Sequence, residues 1–342
     1  MTTHPNRILL PRNLRAGTLH LRNLMRRTLI GLTLGLACTA AAAQPAYPAR
    51  PITLIVPFPT GGVTDIVARA VASRLATELG ESVVVDNKPG ASGVPGTVAA
   101  ARAAPDGYTL LLGNISTLGT NPATFAKLPY DPVKDFAPVS MLAIQPLVIA
   151  VHPSVPANTL DELVKLARSK PGALTFGTAG TSIQLAVELF SKINGIQMLH
   201  VPYKGSSPAI TDLVGGQINV LFDPISTLYP QVRAGQVRGL GVSTRQRAPV
   251  APELPTAQEA GSRDYDVSSW QALVVPAGTP APIVQRLHGA VTKVLQDTTT
   301  RELFARQGAN PAPSSPAEAG EFIRAEMTRW KDVAREAGVK PE

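Results

Sequence analysis

The sequence predicts a two-lobed α/β protein, with two open sheets flanked by helices and facing each other across a cleft. Three observations predict it. From Ile52 onward, short apolar stretches alternate with stretches of helical period. That alternation breaks twice, at the long extended segments MLAIQPLVIAVHP and SSWQALVVPAG, which read as crossings between domains. After the second crossing the pattern is purely helical. A chain of 342 residues, 44% hydrophobic and 16% charged with 28 Gly and 32 Pro, suits two ordinary domains and is too apolar for disorder.

The elements follow in order. ITLIVPF reads as a buried strand, and after the loop PTGGVT the residues Val67, Val71, Leu75 and Leu79 recur as one face of a helix, with Thr64 expected to cap its start and Gly80 its end. SVVVDN and YTLLLGN are further strands, separated by a small-residue helix after KPGASGVPG. Strand and helix in alternation imply a parallel sheet with helices on its faces. Beyond the first crossing, Thr159 and Glu162 form a capping-box pattern for a helix carrying Leu160, Leu163, Val164 and Ala167. TFGTAG, MLHVPYKG, INVLFDP and VRGLGVS read as strands, with SIQLAVELFSKI and SPAITDLVGG as helices between them. The closing helices are APIVQRLHGAVTKVLQD, TTRELFARQG and a last one opened by Ser315, Pro316 and Glu318, with a face of Ile323, Met327, Trp330 and Ala334. Lacking strands of their own, they are expected to pack on the first sheet. The domain limits are 44–145 with 266–342 for the first lobe and 146–265 for the second, with crossings near Gln145-Pro146 and Gln271-Ala272.

Charge narrows the function classes. The chain carries 32 Lys and Arg against 24 Asp and Glu, but residues 1–43 hold six Arg and no acid, so from Gln44 onward the balance is only 26 to 24. A nearly neutral body removes the electrostatic case for a nucleic-acid binder. The front reads as a secretory signal: basic Arg26-Arg27, an apolar run from Leu29 to Ala37, and cleavage expected after Ala43. Translation could equally begin at Met25. General secretion is favoured over the twin-arginine route, to which Arg26-Arg27 could also point. The one Cys, Cys38, lies inside this segment, where lipidation is the alternative to simple cleavage; otherwise the mature chain has no cysteine chemistry. A soluble, exported, monomeric protein is expected.

Enzyme signatures are missing. There is no G-x-S-x-G elbow, Walker loop or H-E-x-x-H, and His152, His200 and His288 are scattered without ligand spacing, so no catalysis, metal or cofactor is expected. Three Gly-rich loops before helices do stand out. In Phe58-Pro59-Thr60-Gly61-Gly62-Val63-Thr64-Asp65, glycines let backbone N–H groups approach a ligand at a helix N-terminus, so a carboxylate could be held without Lys or Arg. A tight turn needing Gly for its own geometry is the other reading. Gly177-Thr178-Ala179-Gly180-Thr181-Ser182 repeats the logic in the second lobe. In the third, Tyr203 and Lys204 end a strand and could offer an aromatic wall and a cation, or Lys204 could be a solvated loop charge. Asn114, which ends YTLLLGN, and Asp223, in INVLFDP, are further candidate ligand-binding residues. A carboxylate such as Asp65 or Asp223 repels an anionic ligand unless backbone N–H groups occupy it or the ligand brings an ammonium; Asp65 reads as an organiser of its own loop.

These segments resemble the Bug family, periplasmic solute-binding proteins of the tripartite tricarboxylate transporters. The resemblance runs through YPARPITLIVPFPTGGVTDIVAR, VVVDNKPGASG, PDGYTLLLGN, LPYDPVKDFAPVS, VPYKGSSPAITDLVGGQINVLF, PTAQEAG, SSWQALVVPAGTP and TRWKDVAREAG. It implies a type II, Venus-flytrap receptor that captures a di- or tricarboxylate, an amino acid or an aromatic acid for membrane subunits. It also implies that the loop Phe58 to Asp65 holds one carboxylate through backbone and ordered water while Gly177 to Ser182 closes from the other lobe. Gln184 stands where relatives commonly have His, and Asn219 where Asp is usual, which bears on ligand identity. Two other functions compete: a sensor that presents its ligand to a signalling partner, and a secreted αβ enzyme, which lacks a nucleophile and base pair.

Overall fold

The computed structural model describes Met1, residues 47–339 and Pro341. The signal segment, Met25, Cys38 and the cleavage site after Ala43 lie outside the described residues. Among those described, no helix is long and apolar enough to cross a membrane.

The first lobe opens with β1 (Ile52–Val56), α1 (Val63–Leu79), β2 (Val83–Asn87), α2 (Val94–Ala101) and β3 (Thr109–Asn114). The strands β2, β1 and β3 lie parallel in that order. α1 forms because Val67, Val71, Leu75 and Leu79 fall on one buried face, and it stops at Gly80, which takes the left-handed conformation (φ 79°) that a side chain disfavours. Its start differs from expectation: the N-cap is Gly62, and no side chain caps it. Thr64 already lies in the first turn, too late to accept from the free N–H groups.

After β3 the chain makes a π-helical turn over Ile115–Thr120 and a short helix α3 (Asn121–Thr124), neither of which the apolar periodicity signals. Then comes β4 (Phe136–Val151), a strand of 16 residues that holds both lobes together. Up to Pro146 it pairs antiparallel with β9 (Ser268–Pro276); from Leu147 it pairs with β7 (Val220–Pro224) and β8 (Arg238–Val242). The two expected sheets therefore share β4, which joins them in one continuous order, β2-β1-β3-β9-β4-β7-β5-β6. The return crossing lies at Val267–Ser268, four residues ahead of Gln271-Ala272, because Ser268 is the last residue to pair, opposite Pro146. Buried Ser243 ties the two crossings: its Oγ accepts from Leu147 N–H at 2.8 Å and donates to Val267 C=O at 2.6 Å.

The second lobe carries α4 (Leu160–Ser169), β5 (Thr175–Thr178), α5 (Thr181–Asn194), β6 (Leu199–Pro202), α6 (Ser206–Val214), β7, α7 (Ile225–Arg233) and β8. Half of the expected box at α4 forms: Thr159 Oγ1 accepts from Glu162 N–H, while the Glu162 carboxylate accepts from Asn158 N–H rather than from Thr159. α7 escapes the sequence reading because it spans only nine residues, with Pro224 before it and Pro230 inside it, yet Pro224 stands at the N-cap, where its missing N–H costs nothing. Phe190 of α5, Phe222 of β7 and Tyr265 meet in tilted and edge-on arrangements that fill the core beneath α5.

The closing helices α8 (Ala281–Gln296), α9 (Thr298–Arg306) and α10 (Pro316–Glu336) return to the first lobe, as expected, but not without a strand: β10 (Asn310–Pro311) pairs with Ala143 and Ile144 of β4. The Ser315–Glu318 box forms in both directions, at 3.2 and 2.8 Å, a motif worth about 1 kcal/mol. α10 buries Ile323, Trp330 and Ala334 together with Glu326, which the apolar pattern hides. Glu326 Oε2 accepts from the indole N–H of Trp330 at 3.0 Å and of Trp270 at 2.8 Å, so its polar head is satisfied and β9 is pinned to α10.

Candidate binding cleft

Beyond their carboxyl ends, the strands β3, β5 and β7 each lead into a helical turn within two residues. Between them lies a cavity of about 160 Å³. Asn114, Ile115 and Ser116 line it from the first lobe, and Leu147, Val267, Ser268 and Ser269 from the crossings. The second lobe contributes Ala179, Ser182, Ile183, Ala186, Ser206, Asp223 and Pro224. Three helices thus point their N-termini at one space: α5 capped by Gly180, α6 by Gly205 and α7 by Pro224, none with a side-chain cap. An uncapped helix start carries free N–H groups and about half a positive charge. No Lys or Arg is among the lining residues. The lobes touch across this space, where the Ser116 hydroxyl donates to Ser182 Oγ at 3.4 Å. Further out, Lys192 of α5 pairs with Glu336 of α10.

Three of the expected site residues meet here: Asn114, Ser182 and Asp223. Asn114 caps the π-helical turn, its Oδ1 accepting from Ser116 N–H at 3.0 Å and Thr117 N–H at 3.1 Å, while its own N–H donates to Thr117 Oγ1. Asp223 is fully buried; Oδ1 accepts from the Ser206 hydroxyl at 2.9 Å and Oδ2 from the Thr227 hydroxyl. Burial pushes its carboxyl up to about 6, against the hydrogen bonds from Thr227 and Ser206, which favour the charge. Thr178 precedes α5, and its hydroxyl is engaged with His200 Nε2 at 2.7 Å. That imidazole stacks on Phe176, and burial lowers its pKa. Thr181 faces a neighbouring hollow of about 310 Å³ with Gln184, Phe125 and Val339.

The first loop is placed differently. Thr60, Gly61 and Gly62 are exposed, and none of the residues from Phe58 to Asp65 lines the cavity. Asp65 is 2% exposed and saturated by its surroundings: it accepts from Gly61 N–H and Arg69 Nε at 2.9 Å through Oδ2 and from Asn87 Nδ2 at 2.9 Å through Oδ1. Asn87 Nδ2 also donates to Phe58 C=O, so the loop is closed on itself from Phe58 onward. Burial raises the Asp65 carboxyl, but Arg69, Gly61 and Asn87 together outweigh it and hold the pKa below the usual carboxylate range. Thr64 sits half-buried in the first turn of α1.

Tyr203 and Lys204 part company. The Tyr203 hydroxyl donates to Asp212 at 2.7 Å, and burial with that neighbouring carboxylate pushes its pKa to about 12; Lys204 is exposed. Asn219 accepts from the N–H and hydroxyl of Thr175 at the start of β7, the opposite end of the strand from Asp223, so its exchange for Asp acts on the fold rather than on the cavity. The serines 116, 206, 268 and 269 are the residues that sequence reasoning did not single out. Asn-x-x-Thr at Asn114 is a capping pattern that marks the turn holding Ser116, whereas nothing local marks Ser268 and Ser269. Among the described residues, no group of three or more His, Cys, Asp or Glu is placed to hold a metal.

The family model described as the tripartite tricarboxylate transporter family receptor matches residues 67–339. Protein BugT of Bordetella pertussis is 38% identical over 311 residues, 90% of this chain and 95% of that one. Among solved structures, Rpa4515 of R. palustris with adipate is 36% identical with a TM-score of 0.77, over 86% of this chain and all of that one. The periplasmic binding protein BugD is 32% identical with a TM-score of 0.74, over 86% and 100%. MatC of Rhodopseudomonas palustris with bound malate is 34% identical with a TM-score of 0.72, over 84% and 99%. These likenesses join the motifs and the two-lobed fold in one answer: the chain belongs to the TctC family of tripartite tricarboxylate transporter receptors, the Bug-type periplasmic solute-binding proteins.

Proposed function

We propose that the protein is exported to the periplasm, captures a small organic carboxylate between its lobes and delivers it to the membrane subunits of a tripartite tricarboxylate transporter. One observation carries this reading: uncapped N-termini of α5, α6 and α7 converge on a cavity lined by no cationic side chain. Such a site favours an anion through N–H groups that are already oriented. Each charge-assisted contact is worth about 1.5–3 kcal/mol, against about 8 kcal/mol for micromolar affinity, so a few such contacts supply a large share of the binding energy. The solutes named with relatives, adipate and malate, are dicarboxylates. The cavity falls below the roughly 300 Å³ of drug-sized sites, which suits a solute of that size class.

In this reading 146–265 close on 44–145 and 266–342 by bending at Pro146 and Ser268. The first-lobe loop Phe58–Asp65 meets the ligand only through exposed backbone, because its carboxylate is already engaged. Calorimetric titration of the purified protein with a panel of di- and tricarboxylates, amino acids and aromatic acids tests the function. A carboxylate binding at micromolar affinity, with a smaller radius of gyration in scattering, is expected. Turnover of the bound solute would favour an enzyme instead, and a panel without any binder would refute the carboxylate site.

A further inference from the structure

A further hollow, of about 420 Å³, shares no lining residue with the cleft cavity. The second lobe lines it with Ile225, Tyr229 and Arg233 of α7 and with Val250, the first lobe with Arg306 of α9 and Gly308 just beyond. The lobes meet closely here: Gly308 takes the left-handed conformation (φ 62°), and a Cβ on it would overlap Ile225. Its neighbour Gln307 is tied to the crossing strand, because Gln145 Nε2, one residue before Pro146, donates to its carbonyl. Pro224 lines the cleft cavity and Ile225 this hollow, so the two spaces adjoin at the start of α7.

The two spaces differ in charge. No cation lines the cleft cavity, whereas this hollow has two exposed guanidiniums, one from each lobe. Neither Arg233 nor Arg306 makes a salt bridge or a hydrogen bond among the described residues. No acidic side chain lines the hollow; Glu253 stands outside it, accepting from the Tyr229 hydroxyl at 2.6 Å. Both arginines occupy the last turn of a helix, where the dipole favours a cation, but that preference does not bring two such ends to one space. Two cations without counter-charges make the hollow positive, and Ile225 with Val250, the latter 38% exposed, gives it an apolar wall.

We propose that this hollow is a second binding site, for a phosphate monoester with an apolar body, whose doubly charged head is shared by Arg233 and Arg306. A phosphate offers three acceptor oxygens and a guanidinium takes such oxygens two at a time, so one head satisfies both forks. Both side chains are exposed, so a ligand reaches them without rearranging the core. The volume falls within the roughly 300–1,000 Å³ of small-molecule sites and leaves room for the body beside Ile225 and Val250. Held from both lobes, the ligand ties α7 to the end of α9 next to the crossing at Pro146. The site is independent of the carboxylate reading of the cleft.

Calorimetric titration of the purified protein with phenyl phosphate, inorganic phosphate and benzoate tests the site, and hydrogen exchange locates the ligand. Phenyl phosphate is expected to bind about ten-fold more tightly than either of the others and to slow exchange in 225–233 and 298–308 together. Arg233→Ala and Arg306→Ala should each weaken it about ten-fold without changing the melting temperature of the free protein, and Arg306→Lys, which keeps the charge but loses the fork, should fall between. No binding of phenyl phosphate, or binding that none of these substitutions weakens, overturns the site. Protection confined to 114–116 and 179–183 places the ligand in the cleft and overturns it as well. Benzoate binding as tightly overturns the doubly charged head, and inorganic phosphate binding as tightly overturns the apolar body.

Discussion

Asp65 and Asp223 occupy equivalent places, each buried at a strand-to-helix junction, one in each lobe, yet their surroundings push them in opposite directions. Asp65 is met by a guanidinium, a backbone N–H and an amide, and its pKa falls. Asp223 is met by two hydroxyls, and its pKa rises to about 6. The first carboxylate stabilises the lobe that holds it, by fixing the loop Phe58–Asp65 before any ligand arrives. The second destabilises its lobe and lines the cavity. Burial alone thus says little about a charged side chain; the charge and number of its donors decide whether it belongs to the fold or to the site.

The largest effect that tests this contrast is Asp65→Ala. Gly61 N–H and Asn87 Nδ2 lose their acceptor and half-exposed Arg69 loses its partner, so a loss of about 2–4 kcal/mol is expected, read from denaturant midpoints. Because the folded pKa lies below the ordinary 3.8 of an aspartate, the stabilisation is complete above that pH and fades as pH falls through the folded pKa. The gap between wild type and variant should therefore narrow in acid. A variant within 0.5 kcal/mol at pH 7 would dissolve the contrast from one side.

Asp223→Asn should move stability the other way. With a folded pKa raised from 3.8 to about 6, the wild type is relatively most stable below pH 3.8 and loses ground as pH rises through 6. The variant avoids that loss, so ligand-free protein should gain about 1–3 kcal/mol at pH 7 and nothing near pH 4. Melting curves at the two pH values measure it, and a destabilised variant at pH 7 would put Asp223 in the same class as Asp65.

A smaller effect sharpens the comparison between the loops themselves. Gly61 (φ 86°) and Gly180 (φ 139°) both adopt backbone that a side chain resists, at roughly 1–3 kcal/mol, and a Cβ at either would meet open space. Gly61 donates to Asp65, whereas Gly180 starts the helix that faces the cavity. Gly61→Ala should lower stability with little change in affinity, and Gly180→Ala should weaken binding several-fold. Exposed Lys204→Ala, the control, should change neither. Calorimetry on the three variants decides, and a loss of binding confined to Lys204→Ala would replace helix starts by a salt bridge.

Much of this was legible in the chain before folding. The apolar period of α1, the Gly80 stop, the Ser315–Glu318 box and the two extended crossings are local patterns, and local sterics and capping enforce them wherever the segment lies. The neutral body and the glycines ahead of helices likewise pointed to recognition without cations. Other features were decided by distant partners. That one strand carries both lobes follows from which neighbours Phe136–Val151 finds on each side of Pro146, and that Glu326 is buried follows from two indoles that come together only when α10 docks. The sequence letters Asp65 and Asp223 are identical. Only the tertiary structure supplies Arg69 and Asn87 to one and the hydroxyls of Ser206 and Thr227 to the other, because electrostatic free energy depends on what lies within a few ångströms in space.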